Sequence, residues 1–283
     1  MAATQPDQID LSFLRDLDEN ELAELLHAHE QFEERLSESG PQTDDELHEW
    51  LKFELNIDIP RVAVCENHDA PFTLLADLFF ERVEAALGVA NRGGAKTFIV
   101  AVLHWLNSRF KPGCESCTFG AIEAQSFRAY AHLKNWIYDE DGNLKPTVVS
   151  SLMRDTTFKN GSKIEVLGST PDAVNGPHPQ KAHADEIELM RDDTFRESRN
   201  MTVSKKLKDG RVLIPQDILT STRKGPSGRV QQLIDEIEVA VAEGYKPPRK
   251  LYMWCIKETS AQVKNCRYAN PNLPEALKCP CNK

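Results

Sequence analysis

The chain has 283 residues, 40% hydrophobic and 28% charged, with a formal net charge of −10. That length can bury the core of one large domain, or of one domain with a small appendage. No run of eighteen apolar residues occurs, and "MAATQPDQID" has neither the basic nor the apolar region of a signal peptide, so the expectation is a soluble intracellular protein without a membrane span.

Seven cysteines, an odd number spread along a long chain, fit reduced thiols or a metal site better than a disulfide framework. The charge is unevenly placed. The first 60 residues hold 17 acidic and 3 basic side chains, leaving 31 basic against 27 acidic in the rest, so the body of the protein is mildly basic and compatible with a nucleic-acid partner.

The front segment reads as helical. "DENELAELLHAHEQFEERL" opens with Asp18 and Glu21 at capping-box spacing, then sets Leu22, Leu25, Leu26, His29, Phe32 and Leu36 near helical periodicity. After the breaker "SESGPQ", Thr43 and Glu46 repeat the capping signal ahead of Leu47, Trp50, Leu51 and Leu55. Residues 1–60 are expected to form an acidic helical appendage, either a solvated helix pair or a docking surface for a partner.

From about residue 85 the pattern becomes short β-prone runs separated by helical ones. Strands are expected at 85–90, 117–122, 147–153, 162–169, 181–185, 217–222 and 250–257, with helices in "TFIVAVLHWLNSRF", "AQSFRAYAHLKNWI" and "GRVQQLIDEIEVAVAEG". Such alternation predicts an α/β fold with a mainly parallel sheet flanked by helices. Asn160-Gly161, between "DTTF" and "SKIEVLG", predicts an antiparallel hairpin inserted in it.

"ANRGGAKT", residues 90–97, follows an apolar strand and opens an apolar helix, the setting in which backbone N–H groups and a helix N-terminus converge on phosphate. The spacing G-x-x-x-x-G-K-[ST] asks for glycines where Ala90 and Ala95 stand, and Gly93 and Gly94 supply the flexibility instead. Lys96 and Thr97 retain the ammonium for phosphate and the hydroxyl for Mg²⁺. The competing reading is an ordinary glycine-containing strand-to-helix turn.

"KAHADEIELM" sets Asp185 and Glu186 at the end of a short strand. Neighbouring residues there point in different directions, so one carboxylate can hold Mg²⁺ while the other polarises an attacking water. The strand itself is weak, with His183 and alanines replacing large aliphatic residues. In "DILTSTRKGPSG", Thr220, Ser221 and Thr222 end a β-prone run, where hydroxyls beside a phosphate site can couple hydrolysis to movement. A solvated acidic loop and a plain β-turn are the bland alternatives.

In order and spacing, "APFTLLADLFFERVEAALGVANRGGAKT", "NGSKIEVLGSTPDAVNGPHPQKAHADEIEL" and "DILTST" resemble the ATPase domain of the large terminase subunit of tailed bacteriophages, the DNA-packaging motor, over about residues 60–260. The resemblance implies a P-loop NTPase fold of the ASCE type spanning 61–260, using ATP and Mg²⁺. It implies that Gly93, Gly94, Ala95, Lys96 and Thr97 cradle the phosphates, that Thr97 and Asp185 hold the metal, and that Glu186 is the catalytic carboxylate. Arg92, four residues before Lys96, is implied to be a cis arginine for the γ-phosphate, and Thr220, Ser221 and Thr222 the coupling motif.

It further implies double-stranded DNA, a portal protein and a small terminase subunit as partners, a homo-oligomeric ring when assembled on the procapsid or a monomer alone, and the host cytoplasm as location; Arg223 and Arg229, flanking the loop after 220–222, are candidates for a trans arginine finger in such a ring. The family's nuclease domain is not expected in this chain, whose residues 261–283 read as a basic, cysteine-containing tail leading towards it. A non-hydrolysing docking module with a degenerate loop and a helicase-like translocase are the alternative readings.

The remaining candidates are weaker. Cys266, Cys279 and Cys281 resemble part of a zinc site lacking a fourth ligand. Cys114 and Cys117 read as free thiols at a turn, and Cys65 and His68 could join a metal site only through tertiary proximity. Lys246, Arg249, Lys250, Lys257, Lys264 and Arg267 are candidates for tracking a DNA backbone, with a solvated surface as the alternative.

Overall fold

The computed structural model describes residues 18–138, 147–208 and 210–259. The chain divides into two compact units, with the boundary between Ile57 and Asp58.

The first unit carries α1 (Glu19–Ser39) and α2 (Asp44–Leu55). The capping box at α1 forms as the sequence predicts: the Asp18 carboxylate accepts from the Asn20 and Glu21 N–H groups, and Glu21 accepts from the Asp18 N–H. At α2 only half of the expected box is made. Thr43 Oγ1 accepts from the Glu46 N–H, but the Glu46 carboxylate accepts from Gln42 N and Arg35 instead of closing on Thr43. Leu47, Trp50 and Leu51 form the buried face of α2.

In the second unit, α3 (Pro71–Phe79) precedes β1 (Ala85–Ala90), α4 (Lys96–Phe110), β2 (Glu115–Gly120) and α5 (Glu123–Tyr138). Then come β3 (Val148–Ser151), β4 (Asp155–Phe158), β5 (Lys163–Val166), α6 (Pro171–Asn175), β6 (Lys181–Asp185) and α7 (Asp192–Ser198). A two-stranded ribbon, β7 (Lys205–Lys206) with β8 (Val212–Leu213), leads to β9 (Gln216–Ser221), α8 (Arg229–Ala242), β10 (Lys250–Trp254) and α9 (Ile256–Thr259).

Eight strands form one sheet in the order β10-β1-β9-β6-β2-β5-β4-β3. The pairings from β10 through β5 are parallel, and only β5-β4 and β4-β3 are antiparallel. The inserted hairpin is the one the Asn160-Gly161 pair predicts: Gly161 turns at φ 83°, and Asn160 Oδ1 accepts from the Ser162 N–H.

Where strand ends differ from expectation the cause is local. The strand expected over 117–122 ends at Gly120, because Ile122 O begins bonding with Gln125 N and the chain turns into α5. The strand expected over 250–257 stops at Trp254, and Glu258 caps the turn that follows by accepting from the Cys255 N–H.

Central strands bury both faces, so the apolar run of β1 is fully explained. β6 is buried along its whole length despite Lys181 and His183, because each polar side chain has partners: Lys181 Nζ donates to Glu81 at 2.6 Å and to the Ile214 carbonyl at 2.7 Å. Leu87, Val89, Phe119, Ala184, Leu219 and Ile234 belong to the core cluster beneath the strand ends that carry the candidate site.

Candidate nucleotide site

The loop between β1 and α4 turns through two left-handed residues, of which only one is a glycine. Gly93 sits at φ 85° and Ala95 at φ 57°, both left-handed. Gly94 is required for space, since a Cβ there would lie 2.8 Å from Ala90 Cβ and 3.0 Å from the Asn91 carbonyl. The Gly94 N–H donates back to Asn91 O at 2.9 Å, and its carbonyl accepts from Trp254 Nε1 at 2.7 Å, tying the loop to the end of β10. Gly94→Ala is therefore expected to destabilise the protein by about 1–3 kcal/mol through overpacking, read as a lower urea midpoint.

Lys96, only 6% exposed, opens α4. Its ammonium donates to the Ala90 carbonyl at 3.0 Å, the Asn91 carbonyl at 3.2 Å and Thr222 Oγ1 at 3.1 Å. Burial lowers its pKa, opposed by the carboxylates of Glu186 and Asp185.

Thr97 Oγ1 donates to Asp185 Oδ2 at 2.8 Å, and Thr220 Oγ1 donates to Asp185 Oδ1 at 2.7 Å. Residues from α4, β6 and β9 thus meet on one carboxylate. Register explains it, because Asp185 pairs with Thr220 across β6 and β9. In the structure the Thr97–Asp185 contact is a hydrogen bond, and both of its oxygens are hard donors of the kind Mg²⁺ takes. This pair of hard oxygens fits that ion.

Glu186 is half-buried, with φ 53°. A left-handed glutamate at a strand end is uncommon, and such conformations concentrate at functional sites. Its N–H bonds Asp185 Oδ1 at 3.0 Å, and no hydrogen bond engages its carboxylate among the described residues.

The three hydroxyls of 220–222 divide as strand alternation requires. Thr220 and Thr222 reach Asp185 and Lys96, whereas Ser221 faces away and accepts from the Glu188 N–H at 3.2 Å. Arg92 is exposed, with no hydrogen bond to a described residue.

Sequence reasoning undervalues His183, which period-two alternation places on the same face as Asp185. Its Nε2 lies 2.7 Å from Thr220 Oγ1 and its Nδ1 3.1 Å from Thr118 Oγ1. The single Thr220 proton goes to Asp185, so Nε2 donates to Thr220 and Nδ1 accepts from Thr118. A directional chain from β2 through β6 to β9 therefore fixes the Asp185 carboxylate.

Burial pushes His183 down to about 4, and pushes the neighbouring His104, whose ring centroid is 6.1 Å away, down to about 3. Both are neutral in the folded protein and bind protons more readily once unfolded. Their contribution is therefore intact above the unfolded pKa of about 6.5 and is lost as pH falls towards 4, on the order of 3 kcal/mol for each. Urea titrations from pH 7 to pH 4.5 are expected to show falling stability, with a shallower slope in His104→Leu.

Other candidates are positioned differently. Arg229 is tied to the carbonyls of Ile187 and Met190 and to Asp192, which removes it as a free finger. Arg249 is buried against Asp217, which removes it from an open basic track, whereas Lys250, paired with Asp77 at 2.6 Å, stays exposed. Cys114 and Cys117 are buried, without a disulfide, and burial raises both thiol pKa values. Cys266, Cys279, Cys281, Lys264 and Arg267 lie outside the described residues.

The loop between β1 and α4 and the acidic end of β6 lie at one edge of a mainly parallel sheet, with β9 placed between β1 and β6. No family model and no curated protein matches the sequence. Among solved structures, the chain resembles the large terminase of a thermophilic bacteriophage. One crystal form gives a TM-score of 0.44 at 11% identity over 64% of this chain and 44% of that one. A second form, in complex with ADP, gives 0.45 at 13% identity over 72% and 50%. The chain spans about half the length of these solved chains. Among the described residues, no helix is long and apolar enough to cross a membrane.

Proposed function

We propose that this chain is the ATP-hydrolysing motor domain of a DNA-packaging terminase, coupling ATP hydrolysis to translocation of double-stranded DNA into a procapsid. The observation that carries the hydrolytic reading is the convergence of Lys96, Thr97, Asp185, Thr220 and Thr222 at the ends of β1, β6 and β9. The DNA-packaging assignment, with portal, small subunit and subunit ring as partners, rests on the order and spacing of the sequence motifs.

Bound MgATP supplies the phosphoanhydride to be cleaved and a cation that offsets phosphate charge. Lys96 exchanges its bonds to the Ala90 and Asn91 carbonyls for phosphate oxygens. Thr97 and Asp185 would hold the metal through their oxygens, and Glu186 orients the attacking water and takes its proton. Arg92, exposed beside the cradle, turns inward to stabilise charge on the transferred group.

Thr220 and Thr222 give the coupling a physical route. One, at the end of β9, is bonded to Asp185 and the other, just beyond it, to Lys96, so replacement of either contact on nucleotide binding shifts the strand end and the loop leading to α8. The test is single-turnover hydrolysis of labelled ATP with protein in excess, with and without double-stranded DNA. Mg²⁺-dependent hydrolysis that DNA accelerates supports the proposal. Absence of hydrolysis across protein concentrations, with and without DNA, leaves the docking-module reading.

A further inference from the structure

We propose that Cys65, His68, Cys255 and Glu258 form a structural zinc site, which staples the segment before α3 to the end of β10. One ligand atom from each residue lies within 4.8 Å of the others. The two sulfurs are 3.9 Å apart. Two thiolates on a tetrahedral Zn²⁺ with bonds near 2.3 Å stand about 3.8 Å apart, whereas a disulfide requires about 2.05 Å. The separation in the structure suits a shared metal and is too long for a disulfide, and without an ion it is a thiol–thiol contact.

The ligands come as two pairs, Cys65-x-x-His68 and Cys255-x-x-Glu258, close to the local spacing common in structural zinc sites. Glu258 prepares the site. Its carboxylate accepts from the backbone N–H of Cys65 at 2.9 Å and of Cys255 at 2.7 Å, and Oε1 lies 3.0 Å from His68 Nδ1. Oε2 takes the Cys255 N–H, and the Cys255 side chain also hydrogen-bonds this carboxylate through a thiol proton that zinc would displace. The His68 and Glu258 side chains are fully buried, and His68 Nε2 has no hydrogen-bond partner among the described residues. A buried His-Glu pair alone accounts for one contact, but not for the two sulfurs that lie within 4.8 Å of it.

The site has a place in the architecture. Asp69 and Met253 exchange backbone and carboxylate hydrogen bonds at 2.7 and 2.9 Å beside it, and Trp254, next to Cys255, holds the Gly94 carbonyl. A metal here would brace the strand end that supports the phosphate loop, and its binding does not depend on whether the chain hydrolyses ATP.

Metal content of the reduced, chelator-free protein by mass spectrometry, joined to Co²⁺ titration followed by absorption, tests this. About one zinc per chain is expected, with at least about a tenfold loss of occupancy in Cys65→Ser, Cys255→Ser and His68→Gln. The triple variant Cys266→Ser, Cys279→Ser, Cys281→Ser is expected to keep the metal, and its Co²⁺ form to show thiolate charge-transfer and tetrahedral bands. If the Cys65 and Cys255 variants do not fold, the Co²⁺ spectrum of the triple variant decides alone. Overturning results are a folded wild type without metal, metal lost with the three C-terminal cysteines, Co²⁺ bands without thiolate character, or a Cys65–Cys255 disulfide as the native form.

Discussion

Lys96→Ala is expected to lower single-turnover ATP hydrolysis by at least about 10²-fold, the scale for removing one charge-stabilising donor from a water-poor site. Lys96 is buried, and all three of its acceptors are neutral oxygens: two loop carbonyls and the Thr222 hydroxyl. Those acceptors satisfy its N–H groups without neutralising its charge, and the Glu186 and Asp185 carboxylates supply the balancing field. Phosphate would be a far stronger partner than a carbonyl. The variant should therefore bind nucleotide more weakly as well, which a fluorescent ATP analogue would report. Hydrolysis at the wild-type rate would remove Lys96 from the chemistry.

Glu186→Gln should separate binding from catalysis. The expected loss in hydrolysis is about 10² to 10⁴-fold, the range of a positioned general base, with ATP affinity changed only slightly. Its carboxylate has no hydrogen-bond partner among the described residues, and its backbone is left-handed, whereas the adjacent Asp185 is committed to Thr97, Thr220 and the Glu186 N–H. One carboxylate is fixed and its neighbour is available, which is the division of labour the reaction needs. Glutamine keeps the size and removes the base. A parallel loss of affinity would instead mean that Glu186 shapes the cradle.

Much of the fold, and of the set of side chains that it brings together, is legible in the residues themselves. β1 and β6 lie where their sequences place them, because flanking turns and a helix start punctuate both sharply. Lys96, Thr97 and Asp185 can be named from local context, since strand-loop-helix geometry is encoded within a few residues. The division of 220–222 into two inward hydroxyls and one outward follows from alternation, but the β6-β9 register is needed to say which faces which.

The features that escape a sequence reading depend on long-range pairing. His183 reads as a defect in a hydrophobic strand until Thr118 and Thr220, on strands to either side, give it partners. Trp254 reaches the loop from 160 residues away in sequence. Arg249 reads as part of an open basic stripe because sequence displays charge but not the burial of its side chain against Asp217.

Whether Lys96 and its neighbours form a working nucleotide cradle is decided most directly by a crystal structure with Mg²⁺ and a non-hydrolysable ATP analogue, read at one distance, from Lys96 Nζ to the nearest phosphate oxygen. A hydrogen-bond distance of about 2.7–2.9 Å is expected, with Thr97 and Asp185 at the metal. An analogue bound elsewhere, with Lys96 still bonded to the Ala90 and Asn91 carbonyls, would overturn the assignment.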